Sequence, residues 1–355
     1  MEIKHNCKYA LAVPTSMGVR ITPADRQTVA ASDMFFMQAT SAETNVASIP
    51  SYLGQKVLVL TDFVKGSPIS QFIKQNLRSR GMDFVGKEVE QGGPWGYRHQ
   101  FNIADSGAGN RGPRVHNDRA GEVGRVMSAD DFDLTQIFDI DGVGIIHISG
   151  LIAALSPQTS KLCLDLARKA KASGTLVSFD LNYRASFWEG REAELRAIFT
   201  EIASLSDILG GNEEDFQLAL GIEGPKAGGQ NNKIDAFKSM IDKVRAAYPS
   251  VSVYATSLRQ VLSAEKHVWG ALLYAEGKWY EAEQREIAVL DRIGGGDGFM
   301  GGLLYGIIKS WDYETCLHFA WASGALAVTF LTDYAQPSDE EQIFSIWNGN
   351  ARVKR

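Results

Sequence analysis

The chain has 355 residues, of which 45% are hydrophobic and 22% charged, a balance that allows a globular protein with a sizeable core. Its net charge of −6 argues against the broad basic surface that nucleic acid or an anionic membrane would need, while leaving room for a local anion site. Cys7, Cys163 and Cys316 are odd in number, far apart and without a CxxC, so reduced thiols are expected, and no Cys/His cluster has zinc-ligand spacing.

The first apolar run, Tyr9–Val13, suits a strand and is too short for the core of a secretory signal. No window reaches the roughly 18 apolar residues of a membrane span, so a cytoplasmic protein is expected. Residues 16–40 are rich in turn formers and short β-like runs. Val57–Thr61 reads as the next strand, and 67–80 as a helix with Ile69, Phe72, Ile73 and Leu77 on one face. Residues 84–128 again break the pattern, with Gly92-Gly93-Pro94 and the run Gly107–Pro113. Val143–Ser149 and Thr175–Asp180 read as strands, 191–206 as a helix, 224–233 as a polar surface loop, 233–247 as a helix and Val251–Thr256 as a strand. Strand–helix alternation predicts an α/β fold around a central, mostly parallel sheet with helices on both faces. The stretches 16–40 and about 84–128 predict a small accessory β-layer within one domain spanning 1–355.

Three motifs could carry chemistry. In Asp291-Arg292-Ile293-Gly294-Gly295-Gly296-Asp297-Gly298 a glycine run opens into an apolar helical segment. Glycines let backbone N–H groups converge on an anion, and the helix start adds positive potential. Asp297, in the first turn, would cap the helix or accept a proton from an attacking hydroxyl; a plain turn fits the pattern equally well. No Gly-Lys-Ser/Thr follows, so this is not a Walker A loop, and the dinucleotide fingerprint is also absent. Ser178-Phe179-Asp180-Leu181-Asn182-Tyr183-Arg184 ends a strand, where α/β sheets bind ligands, and Arg184 could fork onto a carboxylate or phosphate; a strand-end turn with a salt bridge is the alternative. Asn212-Glu213-Glu214-Asp215 could meet a hydrated Mg²⁺ or simply cap a helix.

These motifs, in this order, resemble those of the ribokinase-like (phosphofructokinase-B type) sugar kinases over nearly the whole chain. Gly294, Gly295, Gly296 and Asp297 resemble that family's anion hole and catalytic base, and Asn45-Val46-Ala47 the end of its N-terminal glycine motif. Asn212 and Asp215 resemble its magnesium and phosphate motif. Within the family, Asp180-Leu181-Asn182-Tyr183-Arg184, His147-Ile148-Ser149-Gly150 and Asn117-Asp118-Arg119 are similar to segments of 2-keto-3-deoxygluconate kinases. The resemblance implies a ribokinase-like fold whose accessory sheet is a lid, ATP and Mg²⁺ as cofactors, and a sugar or sugar acid as substrate. It implies carboxylate contacts from Arg119 and Arg184, further sugar contacts from Thr40, Ser41, Asn45, Arg98, Asn117, Asn182 and Asp333, and nucleotide contacts from Asn212, Ser257, Arg259, Asp291, Gly294, Gly296, Ala322 and Ser323. Ala322 and Ser323 suit close helix packing equally well. A homodimer through the lids is a further implication, and a monovalent-cation requirement is left open.

Four departures fall on the sugar side. Thr40 and Ser41 replace two glycines, Thr15-Ser16 replaces Gly-Glu, and Asn117 and Arg98 stand where tyrosines are usual. A sugar-acid kinase, a kinase for another sugar and a catalytically idle sugar-binding protein are therefore all carried forward.

Overall fold

The computed structural model describes residues 1–224 and 233–351. The loop expected over 224–233 lies, between its end residues, outside them. Among the described residues the strands are, in chain order, β1 (Tyr9–Pro14), β2 (Gly18–Pro23), β3 (Phe35–Thr40), β4 (Val57–Leu60), β5 (Phe63–Val64), β6 (Met82–Val85), β7 (Glu88–Val89) and β8 (Gln100–Ala104). They continue with β9 (Val115–Asp118), β10 (Val143–Ser149), β11 (Leu176–Asp180), β12 (Ile208–Gly210), β13 (Val253–Ser263), β14 (Lys266–Ala275) and β15 (Lys278–Ala288). The α-helices are α1 (Ala42–Tyr52), α2 (Pro68–Ser79), α3 (Gly150–Leu155), α4 (Pro157–Ala172), α5 (Ala185–Trp188) and α6 (Glu192–Leu205). After them come α7 (Glu213–Leu220), α8 (Lys233–Ala247), α9 (Gly295–Ile308), α10 (Tyr313–Ala327) and α11 (Glu340–Trp347).

Every residue of β10 is buried, as an apolar strand requires when both faces are covered. It lies inside a nine-stranded sheet of order β15-β14-β13-β12-β11-β10-β1-β4-β6. Neighbours from β6 to β13 pair in parallel, and β14 and β15 close one edge antiparallel. Alternate residues feed two cores. Leu11, Val59 and Ile145 face Val46 of α1, Leu303 of α9 and Leu317 of α10. Ile146, Phe179 and Leu209 face Leu166 of α4, Phe199 of α6 and Ile241 of α8. The expected covered parallel sheet is thus what the chain forms.

The chain leaves β1 for β4 and β6 on one side, then returns to β10 on the other. Strand ends therefore diverge beside β1, where open α/β sheets bind ligands. Helices α9 and α10 approach closely in the same region. A Cβ on Gly302 would lie 2.5 Å from Ser323 Oγ, so glycine is needed for the contact.

A separate four-stranded sheet of order β3-β2-β8-β9 stands over these strand ends. Its strands lie within 18–40 and 100–118, so the stretch expected to form it, 84–128, is too wide. Residues 82–85 instead pair with β4 at the edge of the main sheet, and β7 pairs with β5. Among the described residues no helix is long and apolar enough to cross a membrane.

Candidate active site

The ends of β1 and β10–β13, the start of α9 and the small sheet enclose a cleft of about 1740 Å³. One end begins at Gly294, which caps α9 with φ 85° and would place a Cβ 1.8 Å from the Asp333 carbonyl oxygen. Only glycine fits that left-handed, crowded position. The first turn of α9, Gly295 to Asp297, lines the cleft, and the leading N–H groups of a helix suit an anion.

Asp297 sits in that turn and accepts a hydrogen bond from Asn45 Nδ2 at 2.9 Å. Burial pushes its pKa up to about 8; the Asn45 bond opposes this, and the charges of Asp180, Asp333 and Glu43 add to it. A carboxyl group tuned toward neutral pH suits proton abstraction. Asp180 is raised to about 7, by burial first and then by Asp215.

Three arginines, Arg184, Arg259 and Arg292, line the same cleft. None is in an ion pair among the described residues. Arg259 is held down at about 10 by burial first and then by the repulsion of Arg292 and Arg184. Such a group is an anion receptor awaiting phosphate or carboxylate.

Asn212 and Asp215 also line the cleft, but as the two halves of a capping box on α7. Asn212 Oδ1 accepts from the N–H groups of Glu214 and Asp215 at 2.8 and 3.0 Å. The Asp215 oxygens accept from the N–H groups of Tyr183 and Asn212, both at 2.9 Å. Asn212 Oδ1 thus has both its acceptor sites engaged, while each Asp215 oxygen keeps one. No group of three or more His, Cys, Asp or Glu among the described residues is arranged as a metal cage.

The end beneath the small sheet is different. Arg119 Nη1 donates to both Glu122 oxygens, at 2.8 and 3.0 Å, and Glu122 also accepts from Ser16 Oγ at 2.6 Å. Its charge is balanced within the protein before any substrate arrives. Glu43, 3% exposed at the start of α1, accepts from Thr15 Oγ1 at 2.5 Å and from Ser149 Oγ. Gln100 and Asn102, on β8, line the cleft with amide oxygens that are buried and have no partner. Asn117 of β9 pairs with Asn102 in register. An unpartnered buried acceptor calls for a donor from a ligand or water.

The cleft brings together Thr40, Ser41, Asn45, Asn117, Arg119, Asn182, Arg184, Ser257, Arg259, Asp333 and the glycine loop. Some are already engaged: Ser41 Oγ caps α1 by accepting from the Thr44 N–H, and Asp333 holds Thr40 Oγ1 at 2.8 Å. Four residues expected in the site lie outside it. Arg98 pairs with Asp118 and donates to the Ala120 carbonyl at 2.6 Å. Asp291 is 0% exposed and faces inward onto Arg20, 2.5 Å away. Ala322 and Ser323 are buried, with Ser323 in the α9–α10 seam, so close packing accounts for these small residues. Sequence reading missed Glu43, Gln100, Asn102 and Arg292. The Arg292 signal was present beside the glycine run; the others gain meaning only once the small sheet is folded over the cleft.

The model of the pfkB family of carbohydrate kinases matches residues 42–335. The chain belongs to that family, and its fold is the ribokinase-like α/β fold. It is 24% identical over 95% of its length to a 2-dehydro-3-deoxygalactonokinase of Haloferax volcanii, covering 96% of that protein. It is 27% identical over 94% of its length to a 2-dehydro-3-deoxygluconokinase of Thermoproteus tenax, covering 91% of it. The crystal structure of a 2-dehydro-3-deoxygluconokinase of Thermotoga maritima superposes with TM-score 0.86 at 26% identity, over 97% of this chain and all of that one (100%). The protein is a carbohydrate kinase.

Proposed function

We propose that the chain transfers the γ-phosphoryl group of ATP to a hydroxyl of a 2-keto-3-deoxy sugar acid, with 2-keto-3-deoxygluconate, giving its 6-phosphate, the acceptor to test first. The observation that carries this is the placement of Asp297, with its raised pKa, in the first turn of a glycine-opened helix facing three unpaired arginines. Asp297 takes the proton of the attacking hydroxyl. The N–H groups of Gly294, Gly295 and Gly296 receive charge that develops on the transferring group. Arg259 and Arg292 hold phosphate oxygens, and Arg184 meets the substrate carboxylate. Mg²⁺, when bound with the nucleotide, supplies neutralising charge across the phosphate oxygens. Glu213, Glu214 and Asp215, which all line the cleft, would meet its hydration shell. The Asn212 side-chain NH₂ is left to donate to phosphate. A cytoplasmic location goes with this reading.

One observation favours a second reading, a kinase for a neutral sugar: Arg119 carries its own counter-ion. ADP release with MgATP across 2-keto-3-deoxygluconate, its galactonate epimer, fructose, ribose and adenosine separates the two. Turnover confined to the keto-deoxy acids is expected. Turnover confined to a neutral sugar would remove the carboxylate role of Arg184 and keep Asp297.

A further inference from the structure

Beneath the cleft lies an ion cluster that the kinase chemistry above does not use. Arg20 projects from β2 of the small sheet, and its side chain is 0% exposed. Nη2 donates to Asp291 Oδ2 at 2.5 Å, and Nη1 donates to Asp333 Oδ1. One guanidinium thus bridges two carboxylates from different loops. Both loops adjoin Gly294. Asp291 Oδ1 accepts from the Ile293 N–H at 3.0 Å, immediately before Gly294. Asp333 lends its carbonyl oxygen to the wall against which Gly294 is packed. Its second carboxylate oxygen accepts from Thr40 Oγ1, whose other neighbour is Asn45 Oδ1 at 3.3 Å, and Asn45 in turn donates to Asp297.

A buried charge cluster of this kind pays heavily in desolvation, and apolar side chains of similar volume often stabilise a fold as well. What it provides that apolar packing does not is direction. A planar fork fixes two carboxylates at once, and each of them orients a different part of the site. We propose that Arg20 is a positioning residue for phosphoryl transfer, locking the anion-hole loop and the Asn45–Asp297 pair in one geometry and fastening both to the small sheet that walls the sugar. The proposal rests on the kinase reading for its kinetic consequences only.

The test compares wild type, Arg20→Lys and Arg20→Ala in two ways. The first is steady-state turnover with MgATP and whichever sugar wild type uses. Lysine keeps the charge but offers one nitrogen on a shorter reach in place of the planar two-nitrogen fork. Both variants are expected to keep KM for ATP and sugar within a few-fold while kcat falls by about 10²-fold, the scale of a misplaced reactive group. Added guanidinium ion should raise kcat of Arg20→Ala and leave Asp297→Asn unchanged. The second is hydrogen exchange, which needs no substrate: amides of 291–297 should exchange faster in Arg20→Lys while those of β10 stay protected. A wild type silent on every sugar would defeat the kinase reading and leave this second measurement to decide the positioning role. Wild-type kcat and unchanged exchange in Arg20→Lys would overturn the proposal, as would loss of protection spread evenly through both cores. Should Arg20→Ala not fold, Arg20→Lys decides alone.

Discussion

The two ends of the cleft solve the problem of holding charge in opposite ways. At the end proposed for phosphoryl transfer, Arg184, Arg259 and Arg292 form no ion pair among the described residues, beside a helix start with no side-chain cap. At the sugar end, Arg119 is neutralised by Glu122, Glu43 is buried among hydroxyls, and amide oxygens point inward. The first end waits for anions. The second is built to receive hydrogen-bond donors such as sugar hydroxyls, with Arg184 at the boundary between them. On the proposed mechanism, phosphoryl transfer draws on unpaired charge, and sugar choice on neutral or already balanced polar groups, whose meaning depends on shape.

The largest expected effect breaks the phosphoryl end. Asp297→Asn should bind both substrates and lose on the order of 10²–10⁴-fold in kcat, measured by coupled ADP release. Next comes Gly294→Ala, which forces a left-handed backbone and drives a methyl group into Asp333. It should cost about 10²–10³-fold in kcat through the disordered anion hole, with a lowered Tm by calorimetry. Arg184→Ala should raise KM for a keto-deoxy acid on the order of 10-fold or more, the scale of a lost charged hydrogen bond, and do little to KM for ATP. Arg119→Ala, removing a cation already balanced, should change that KM by only a few-fold; a larger rise than for Arg184→Ala would reverse the assignment of the two arginines.

A smaller effect sharpens the comparison through stability. Folding raises the Asp297 pKa from 3.8 to about 8, chiefly by burial. The folded state thus binds this proton more tightly, so the associated stability is present below the unfolded pKa and is lost as pH rises through the folded one. Asp297→Asn, permanently neutral, should gain Tm over wild type, with the gain growing between roughly pH 5 and pH 8 in thermal melts. A constant difference would mean the carboxyl group is not strained by its surroundings.

Much of the fold was legible because buried parallel strands are continuous apolar runs: Val143–Ser149 is read and formed with the same bounds. The small sheet and β15 were less legible because they alternate little or face solvent. Phe35, Phe36 and Met37 are exposed strand residues, and β15 buries only Ala282. In the site, the glycine loop was readable because its chemistry is local in sequence. Arg20 was not, since its partners lie 271 and 313 residues away and its own stretch, 16–40, shows only turn formers and short β-like runs. Asp291 was misplaced for a related reason: the resemblance implied a nucleotide contact, and only the folded Arg20 explains why its carboxylate turns inward.

Asp297 as the base is tested most directly by the pH dependence of kcat/KM for wild type beside the residual activity of Asp297→Asn. The expected profile for wild type rises with pH through an apparent pKa near the value of about 8 set by its buried site, and that limb is missing from Asp297→Asn. A flat wild-type profile across this range, or the same limb in both proteins, would contradict it.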